Sequence, residues 1–446
     1  MQALKNSILR GALLLLLLLL PKALMAQTSS VNVFSPYSMY GIGEINTPGS
    51  LASRSMGGVG VAQRSLAQVN LLNPAAYSIT MQRSVLFNVG LEGQSYYNSQ
   101  MNAAGEKGHT SYNTFNFHDI ALQLPLTKGL GLGFSLTPYS SVGYRLYGRS
   151  EPIADVGVAE YDYTGEGDIT QVKIGLGWEV FKNFSIGVAG QYYWGDIDRN
   201  FTTTIYPYTG DGSYPGAVGL TDYSISRVQA QFGVQYSPIW NRKRVLTLGA
   251  TYDMGGDLKP KVTNKVSVNG VFESVAKNET EYLELVLPHQ LTVGAFYETM
   301  KFALSVDYTY QNWGERNSDV EISAGGFEVA YCNTHKIKAG VEWTPNRNDV
   351  RNFFKRWHYR LGFNYGDYHQ TFGGKRVDQY AITFGFGIPV KFGGFSEIDF
   401  GVEYGSRGSH DMINERVGLV KQDYVKFAIS FSLFGEDYWF VRPKFD

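Results

Sequence analysis

After its first 26 residues the sequence has no apolar run long enough to cross a membrane as a helix, which would need about 20 such residues. It has one cysteine, Cys332, so a framework of internal disulfides is excluded. Its formal net charge is only −1, which argues against a nucleic-acid partner. These absences argue against a helical membrane protein, a disulfide-stapled domain and a nucleic-acid-binding protein.

One apolar stretch stands at the start of the chain, and it is short. Residues 11–20 include eight consecutive leucines, basic residues precede them, and Pro21 ends the run. This length is about half of what a membrane-spanning helix needs. The pattern is typical of a secretory signal peptide, which we place at residues 1–26, with cleavage before Gln27.

Most of the remaining sequence alternates apolar and polar residues with period two. In residues 302–311 the even positions are Phe, Leu, Val, Tyr and Tyr, and the odd positions are Ala, Ser, Asp, Thr and Gln. Successive strand side chains point to opposite faces, so one face is apolar and the other is polar. In a secreted chain, such strands are typical of an all-β, 14-stranded antiparallel transmembrane β-barrel. We predict its fourteen strands near residues 84–97, 112–126, 129–147, 159–181, 183–200, 222–237, 244–256, 281–298, 300–313, 328–344, 357–369, 378–391, 394–406 and 418–434.

The connections between these strands predict how the barrel is oriented. Tight links, such as Lys182-Asn183, alternate with long polar ones, as periplasmic turns and outer loops do in barrels of the Gram-negative outer membrane. The longer turn at 345–356 is expected to contain a short periplasmic helix. The predicted domains are the signal peptide at 1–26, an N-terminal hatch at 27–83, the barrel at 84–434 and a periplasmic tail at 435–446.

The polar parity of the strands predicts the side chains that face the lumen. A lysine or arginine facing the bilayer midplane would cost roughly 2–4 kcal/mol, so charges confined to one parity identify the inner face. Seven acids and five bases suggest interior ion pairs that keep the lumen polar and partly closed, although solvation of a wet interior would explain them equally well. Glycines of the same parity suit a barrel that holds a plug, but barrel curvature would also use them. The predicted lumen charges are Glu92, Lys173, Glu179, Asp253, Asp307, Lys336, Lys338, Glu342, Arg360, Asp399, Glu403 and Lys426.

The hatch carries a motif that is known from one family. A glycine-rich stretch at 54–62 is followed by Asn73-Pro74-Ala75, just before the first strand. This arrangement resembles the long-chain fatty acid transporter (FadL-like) family, and the opening residues 35–43 resemble a divergent branch of it. The resemblance implies a hatch that plugs a fourteen-stranded barrel, and hydrophobic solutes that leave sideways through a kinked third strand. Here the third strand is interrupted at Pro138, and the implied lateral opening comprises Pro138, Tyr139, Ser140 and Ser141.

The sequence offers little for catalysis. His118-Asp119 lies where the alternation of the second strand changes phase, which predicts a β-bulge. There is no Gly-x-Ser-x-Gly elbow and no histidine cluster with metal-ligand spacing, so we expect neither an enzyme nor a metal site nor a cofactor. Acidic stretches near Asp162 and Asp211 match no twelve-residue calcium loop, and calcium binding there is left open.

Two functions follow as hypotheses. The first, by resemblance, is an outer-membrane channel for passive uptake of small, fatty-acid-like hydrophobic molecules. The alternative is a non-conducting, plugged barrel that acts as a structural or interaction subunit of an outer-membrane assembly or export complex. The expected partners are outer-membrane lipid, a hydrophobic small molecule and, under the alternative, other outer-membrane proteins.

Overall fold

The fold follows from a computed structural model that describes residues 33–80, 84–102, 105–150, 157–207, 214–241, 243–268, 271–274, 286–318, 322–324, 327–390, 396–414 and 417–436. The predicted signal peptide at 1–26 lies outside these residues, as do Asp211 and residues 437–446 of the predicted tail. No helix within the described ranges has the length and apolar character needed to span a bilayer.

Fourteen strands form the wall, as the alternation predicts. They are β1 (Ser84–Asn102), β2 (Lys107–Thr127), β3 (Leu130–Arg149), β4 (Val158–Phe181), β5 (Phe184–Tyr206), β6 (Tyr214–Trp240), β7 (Arg244–Asp253), β8 (Gln290–Thr299), β9 (Phe302–Gln311), β10 (Thr334–Trp343), β11 (His358–Phe372), β12 (Lys375–Val390), β13 (Ser396–Arg407) and β14 (Val417–Glu436). Each strand pairs antiparallel with its neighbours, and β1 pairs with β14 from Ser84 opposite Glu436, which closes the barrel.

Several predicted bounds are wrong, for physical reasons. The segment 201–206, predicted as loop, continues β5, because strands β5 and β6 stay paired beyond the bilayer. The predicted eighth strand starts at Gln290 rather than residue 281, and Val286–Leu287 instead pairs with Gly256–Asp257. Residues 435 and 436, predicted as tail, belong to β14, because Gly435 pairs with Val85 and Glu436 with Ser84.

The two faces of the wall differ as predicted. On β9, Leu304 and Val306 are 51% and 54% exposed on the outside, whereas Ser305 and Asp307 are buried inside. The same outward parity places Ile337, Leu361 and other apolar side chains on the lipid-facing surface. An outer wall of this kind belongs in lipid, and the barrel satisfies the backbone hydrogen bonds that lipid cannot.

The remaining elements are short and lie at the two ends of the barrel and in its interior. Within the hatch they are the 3-10 helices Pro36–Met39 and Pro74–Ser78, the strand Glu44–Ile45 and the helical turn Leu51–Arg54. Outer strands are Lys261–Val268, Val271–Ser274, Ile322–Ala324 and Phe327–Tyr331, with a helical turn at Trp313–Arg316. The short helix predicted in the turn after β10 is confirmed as the 3-10 helix Phe353–Arg356; its periplasmic location stays a prediction.

Candidate functional site: the barrel interior

The described part of the hatch, residues 33–80, lies against the inner wall and is mostly buried. Lumen-facing glycines allow its backbone to come this close. A Cβ added at Gly187 would overlap Ala75 and Pro74, and one added at Gly362 would overlap Met56 and Gly57. The close approach thus depends on the absence of a side chain at these wall positions.

The Asn73-Pro74-Ala75 motif forms a rigid turn at the wall. The Asn73 side chain accepts a hydrogen bond from the Ala75 N–H at 3.0 Å and caps the 3-10 helix that begins at Pro74. Its amide donates to the carbonyl oxygens of Val61 at 2.8 Å and Val234 on β6 at 3.2 Å. Because Asn73 is fully buried, each of these bonds replaces water, and the motif ties two parts of the hatch to the wall.

Other polar groups of the wall hold the hatch backbone. One carboxylate oxygen of Asp307 accepts the N–H groups of Gly60 at 2.7 Å and Val61 at 3.1 Å. The Lys173 ammonium donates to the carbonyl oxygen of Leu71 and to the Gln231 side chain. These two predicted lumen charges therefore satisfy hatch backbone that would otherwise be buried without partners.

Ion pairs join the hatch to the wall and join wall strands to one another. Arg54 of the hatch contacts Glu92 on β1 and lies 3.6 Å from Glu403 on β13, and all three are almost fully buried. Burial alone would lower the pKa of Arg54, but the carboxylates of Glu92 and Glu403 raise it above its ordinary value. The arginine is thus held charged, as a clamp between the hatch and two strands.

A second cluster lies at the end of the lumen where the short turns join the strands. The Arg360 guanidinium contacts Glu342 and Glu397 at 2.8 Å each, and it also pairs with Asp399. Glu397 in turn accepts a bond from Gln68 of the hatch at 3.4 Å. One buried arginine thus links three wall strands, β10, β11 and β13, beneath the hatch.

The other predicted lumen charges have individual surroundings. Asp253 accepts bonds from Gln191 at 2.8 Å and Gln290 at 3.2 Å, and Glu179 accepts the Asn183 N–H in the turn at 2.8 Å. Lys336 and Lys338 line the main cavity, and the Lys426 ammonium lies 5.2 Å from the centre of the Tyr424 ring. The structure thus does not gather the twelve predicted charges into one site.

The predicted lateral opening coincides with a real gap in strand pairing. Among the described residues, β2 and β3 pair only between Thr127 and Ile120, although both strands run on outward. A bulge in the pairing of β3 with β4 lies between Pro138 and Ser140. The gap begins where the proline removes a ladder donor, as the interrupted alternation suggests.

The chain's own hatch occupies the inner part of this gap. Glu44 and Ile45 pair with Ser141 and Ser140 as a short antiparallel strand. The Asn46 N–H donates to the Tyr139 carbonyl at 2.9 Å. The Glu44 side chain is held as well, because Arg407 on β13 donates a hydrogen bond to its carboxylate at 3.0 Å.

A cavity of about 440 Å³ lies above the hatch. Its outer end is covered by a buried apolar cluster that includes Ile42 of the hatch and Leu258, Leu287 and Trp313 of the outer segments. Amide and charged side chains are abundant on its walls, beside a smaller number of aromatic ones. The polar lining includes Gln94, Gln171, Gln191, Gln229, Gln231, Gln290, Gln311, Gln379, Lys173, Asp253, Lys336 and Lys338.

His118 and Asp119 are both buried and turned inward. The predicted bulge is confirmed, because Gly90 pairs with Asp119 and Leu91 with Phe117, which leaves His118 as the extra residue. The His118 ring contacts the Asp119 carboxylate, and Asn88 donates to the same carboxylate. Within the described residues, no group of three or more His, Cys, Asp or Glu side chains could hold a metal ion.

Four residues that hold the hatch in place were absent from the sequence prediction: Glu44, Arg54, Arg407 and Arg64. The Arg64 guanidinium donates to the wall hydroxyls of Ser185 at 2.8 Å and Ser237 at 3.0 Å. Parity sorts charges within strands, but Arg54 and Arg64 belong to the hatch and Glu44 to a two-residue strand. Arg407 is the last residue of β13, beyond the predicted strand end. A charged residue inside a Ser- and Gly-rich secreted segment was the signal that could have identified Arg54 and Arg64.

Nearly the whole chain matches a family model. The BamG family model matches residues 8–446. No curated protein sequence matches the chain.

Solved structures show the same fold. The Ralstonia pickettii toluene transporter TbuX aligns with a TM-score of 0.56 at 16% identity, over 86% of this chain and 97% of its own. A Pseudomonas aeruginosa FadL homologue aligns with a TM-score of 0.57 at 12% identity, over 87% and 99%. The P. putida toluene transporter TodX aligns with a TM-score of 0.56 at 14% identity, over 86% and 97%. The predicted resemblance to FadL-like barrels is therefore confirmed at the level of the fold.

Proposed function

The chain belongs to the BamG family and folds as a FadL-like outer-membrane barrel, and we propose that it is a plugged, non-conducting interaction subunit of an outer-membrane assembly or export complex. The observation that carries this proposal is the way the hatch is fixed. It is bonded to the wall through Asn73, Asp307 and Arg54, and its own short strand occupies the inner part of the side gap. Opening either route, the lumen or the side gap, would require this fixed segment to move, which a transport channel needs and a structural subunit does not.

The closure is energetically substantial. The clusters around Arg54 and Arg360 are buried, and removal of one partner from a buried pair costs about 3–5 kcal/mol because the other charge is left uncompensated. The Asn73 and Asp307 bonds add further partners to the same segment. Opening a central pore would break several of these contacts together, so the closed state is favoured.

The outer end of the barrel offers a surface for a protein partner. Strands β4, β5 and β6 have 24, 23 and 27 residues, whereas a membrane-spanning strand needs about 9–11. The excess forms a paired sheet that extends beyond the bilayer for roughly 40 Å along the tilted strands, at about 3.3 Å per residue. Tyr163 on this raised sheet and Tyr147 on the end of β3 that pairs with it are both exposed, and tyrosine is enriched at protein interfaces.

Purification of the full-length, tagged chain in mild detergent tests the proposal. We expect protein partners at near-equal stoichiometry, and no channel conductance when the purified barrel is placed in a planar bilayer. The variant Tyr147→Ser/Tyr163→Ser should lose partner, while Tyr308→Ser/Tyr365→Ser on the lipid-facing wall should keep it. Open-channel conductance without a stoichiometric partner would overturn the proposal.

Uptake of hydrophobic molecules is the second candidate function. It is favoured by the fold shared with the toluene transporters TbuX and TodX and with the CymD monoaromatic hydrocarbon channel. The gap between β2 and β3 at Pro138 would be the exit. The many amide and charged side chains on the cavity wall are the feature that fits it least. Uptake of radiolabelled toluene or octanoate by cells with and without the protein tests it directly.

A further inference from the structure

The turn between β10 and β11 is unlike the other described periplasmic turns. Two-residue links such as Lys182-Asn183 join other strands at this end, but here residues 344–357 intervene. Asp349 accepts the N–H groups of Arg351 and Asn352, and Asn352 caps the 3-10 helix Phe353–Arg356. The Asn346 N–H also donates to the Lys355 carbonyl at 2.8 Å. The turn is therefore an ordered structure that presents a defined surface.

This surface is apolar and unusually exposed. Val350 is 96% exposed, and Phe354 is 61% exposed. The Phe353 and Phe354 rings pack on Trp357, at 5.8 Å and 5.0 Å between ring centres. Contact of these exposed apolar side chains with water is unfavourable, and an exposed apolar patch of this kind marks an interaction site.

The aromatic group continues the lipid-facing wall. Trp357 stacks on Phe386 at 5.3 Å, and Phe386 stacks on Phe400 at 5.1 Å. On the other side, Trp357 lies 6.3 Å from Tyr359, which lies 5.7 Å from Trp343. These side chains have the outward parity of their strands and form an aromatic belt at the bilayer edge. The turn thus extends this belt to the level of the lipid headgroups.

The charges of the turn complement that location. Residues 344–357 contain four basic side chains and one acid, Asp349. Arg356 lies 5.0 Å above the Phe353 ring, and Lys355 lies 3.8 Å from Asp349. Arg347 is held by Glu298, but Arg351 is exposed and has no side-chain partner among the described residues. A hollow of about 600 Å³ between Val350, Phe353, Arg356 and Pro389 lies beside these cations.

We propose that the turn at 344–357 is a binding site for anionic phospholipid headgroups of the inner leaflet. Phe353, Phe354 and Val350 enter the interfacial region, and Arg351, Lys355 and Arg356 meet lipid phosphates. Continuity with the lipid-facing belt and the excess of positive charge both select a lipid surface over a protein as the occupant.

Native mass spectrometry of the full-length barrel with phosphatidylglycerol or phosphatidylcholine tests this site. We expect the wild type to retain phosphatidylglycerol in preference, and Arg351→Gln/Lys355→Gln to lose at least half of that preference. Phe354→Ser should weaken retention of both lipids. The matched control, Lys243→Gln/Arg244→Gln, removes two charges from another turn at the same end and should retain the preference.

Two outcomes would overturn the site. Equal loss in both double variants would mean that the charge of this end of the barrel, and not the aromatic turn, attracts the lipid. An unchanged preference in Arg351→Gln/Lys355→Gln would mean that the turn meets something other than lipid. Heat-resistant migration on a gel confirms that each variant is folded, so either outcome remains interpretable.

Discussion

Arg407 at the outer end of β13 donates a hydrogen bond of 3.0 Å to Glu44, which belongs to the two-residue strand that fills the gap beside β3. The two residues are 363 positions apart in the sequence, and both are almost fully buried. The pair therefore ties the hatch strand in the gap to β13, and its loss would release that strand.

Replacing Glu44 tests this tie. Glu44→Gln leaves the Arg407 guanidinium buried without a compensating charge, which should destabilise the hatch by about 3–5 kcal/mol. Limited proteolysis of the folded barrel should then cut within the hatch faster than in the wild type. The pair of exposed Arg149 and half-buried Glu160, 3.8 Å apart, provides the control, and Glu160→Gln should change little. Equal protection in both variants would mean that Glu44 does not hold the strand.

A glycine pair on β5 tests how closely the hatch approaches the wall. Gly187→Ala places a methyl group into the backbone of Pro74 and Ala75, whereas Gly190→Ala meets nothing within 4 Å. Overpacking of this kind costs about 1–3 kcal/mol. We expect Gly187→Ala to loosen the hatch in the same proteolysis assay and Gly190→Ala to behave as wild type. If neither variant changes the rate of proteolysis within the hatch, the hatch backbone does not pack against Gly187.

The division between lipid and lumen can be tested on one hairpin. Val306→Arg places a charge into lipid at mid-strand and should reduce folding by roughly 2–4 kcal/mol. Gln290→Arg places the same charge in the cavity beside Asp253 and should be tolerated. The folded fraction is measured by heat-resistant migration in urea. Ser305 would be a poor control because it is buried within the wall and donates to the Ala295 carbonyl.

The strands were predictable because burial on one face imposes a period of two on the sequence. The phase change at His118 even revealed a bulge that the pairing contains. The bounds of β5 and β6 were not predictable, because these strands leave the bilayer and lose the alternation that lipid imposes. The ties of Arg54 and Glu44 were not predictable either, since they depend on where an irregular segment folds back inside the wall.

The orientation of the barrel gives a further prediction. An epitope inserted between residues 208 and 213, in the connection of β5 and β6, should be labelled on intact cells. An epitope at Lys182-Asn183 should be labelled only after the outer membrane is permeabilised, because short turns face the periplasm. The reverse pattern would invert the assignment of the two ends and move the turn at 344–357 to the cell surface.

A reversible lock on the side gap separates the two candidate functions. Ile45 and Ser140 lie opposite each other as an antiparallel pair, and such positions are about 4.5–5.5 Å apart between Cα atoms, which suits a disulfide. The double variant Ile45→Cys/Ser140→Cys should therefore oxidise readily, and it fixes the hatch strand in the gap. If solutes leave through the gap, oxidation must abolish uptake and a reductant must restore it. For a plugged interaction subunit, we expect the same uptake background and the same co-purifying partners in both redox states. Ile45→Cys alone controls for the thiol, and a reductant-dependent change in uptake would favour the channel over the subunit.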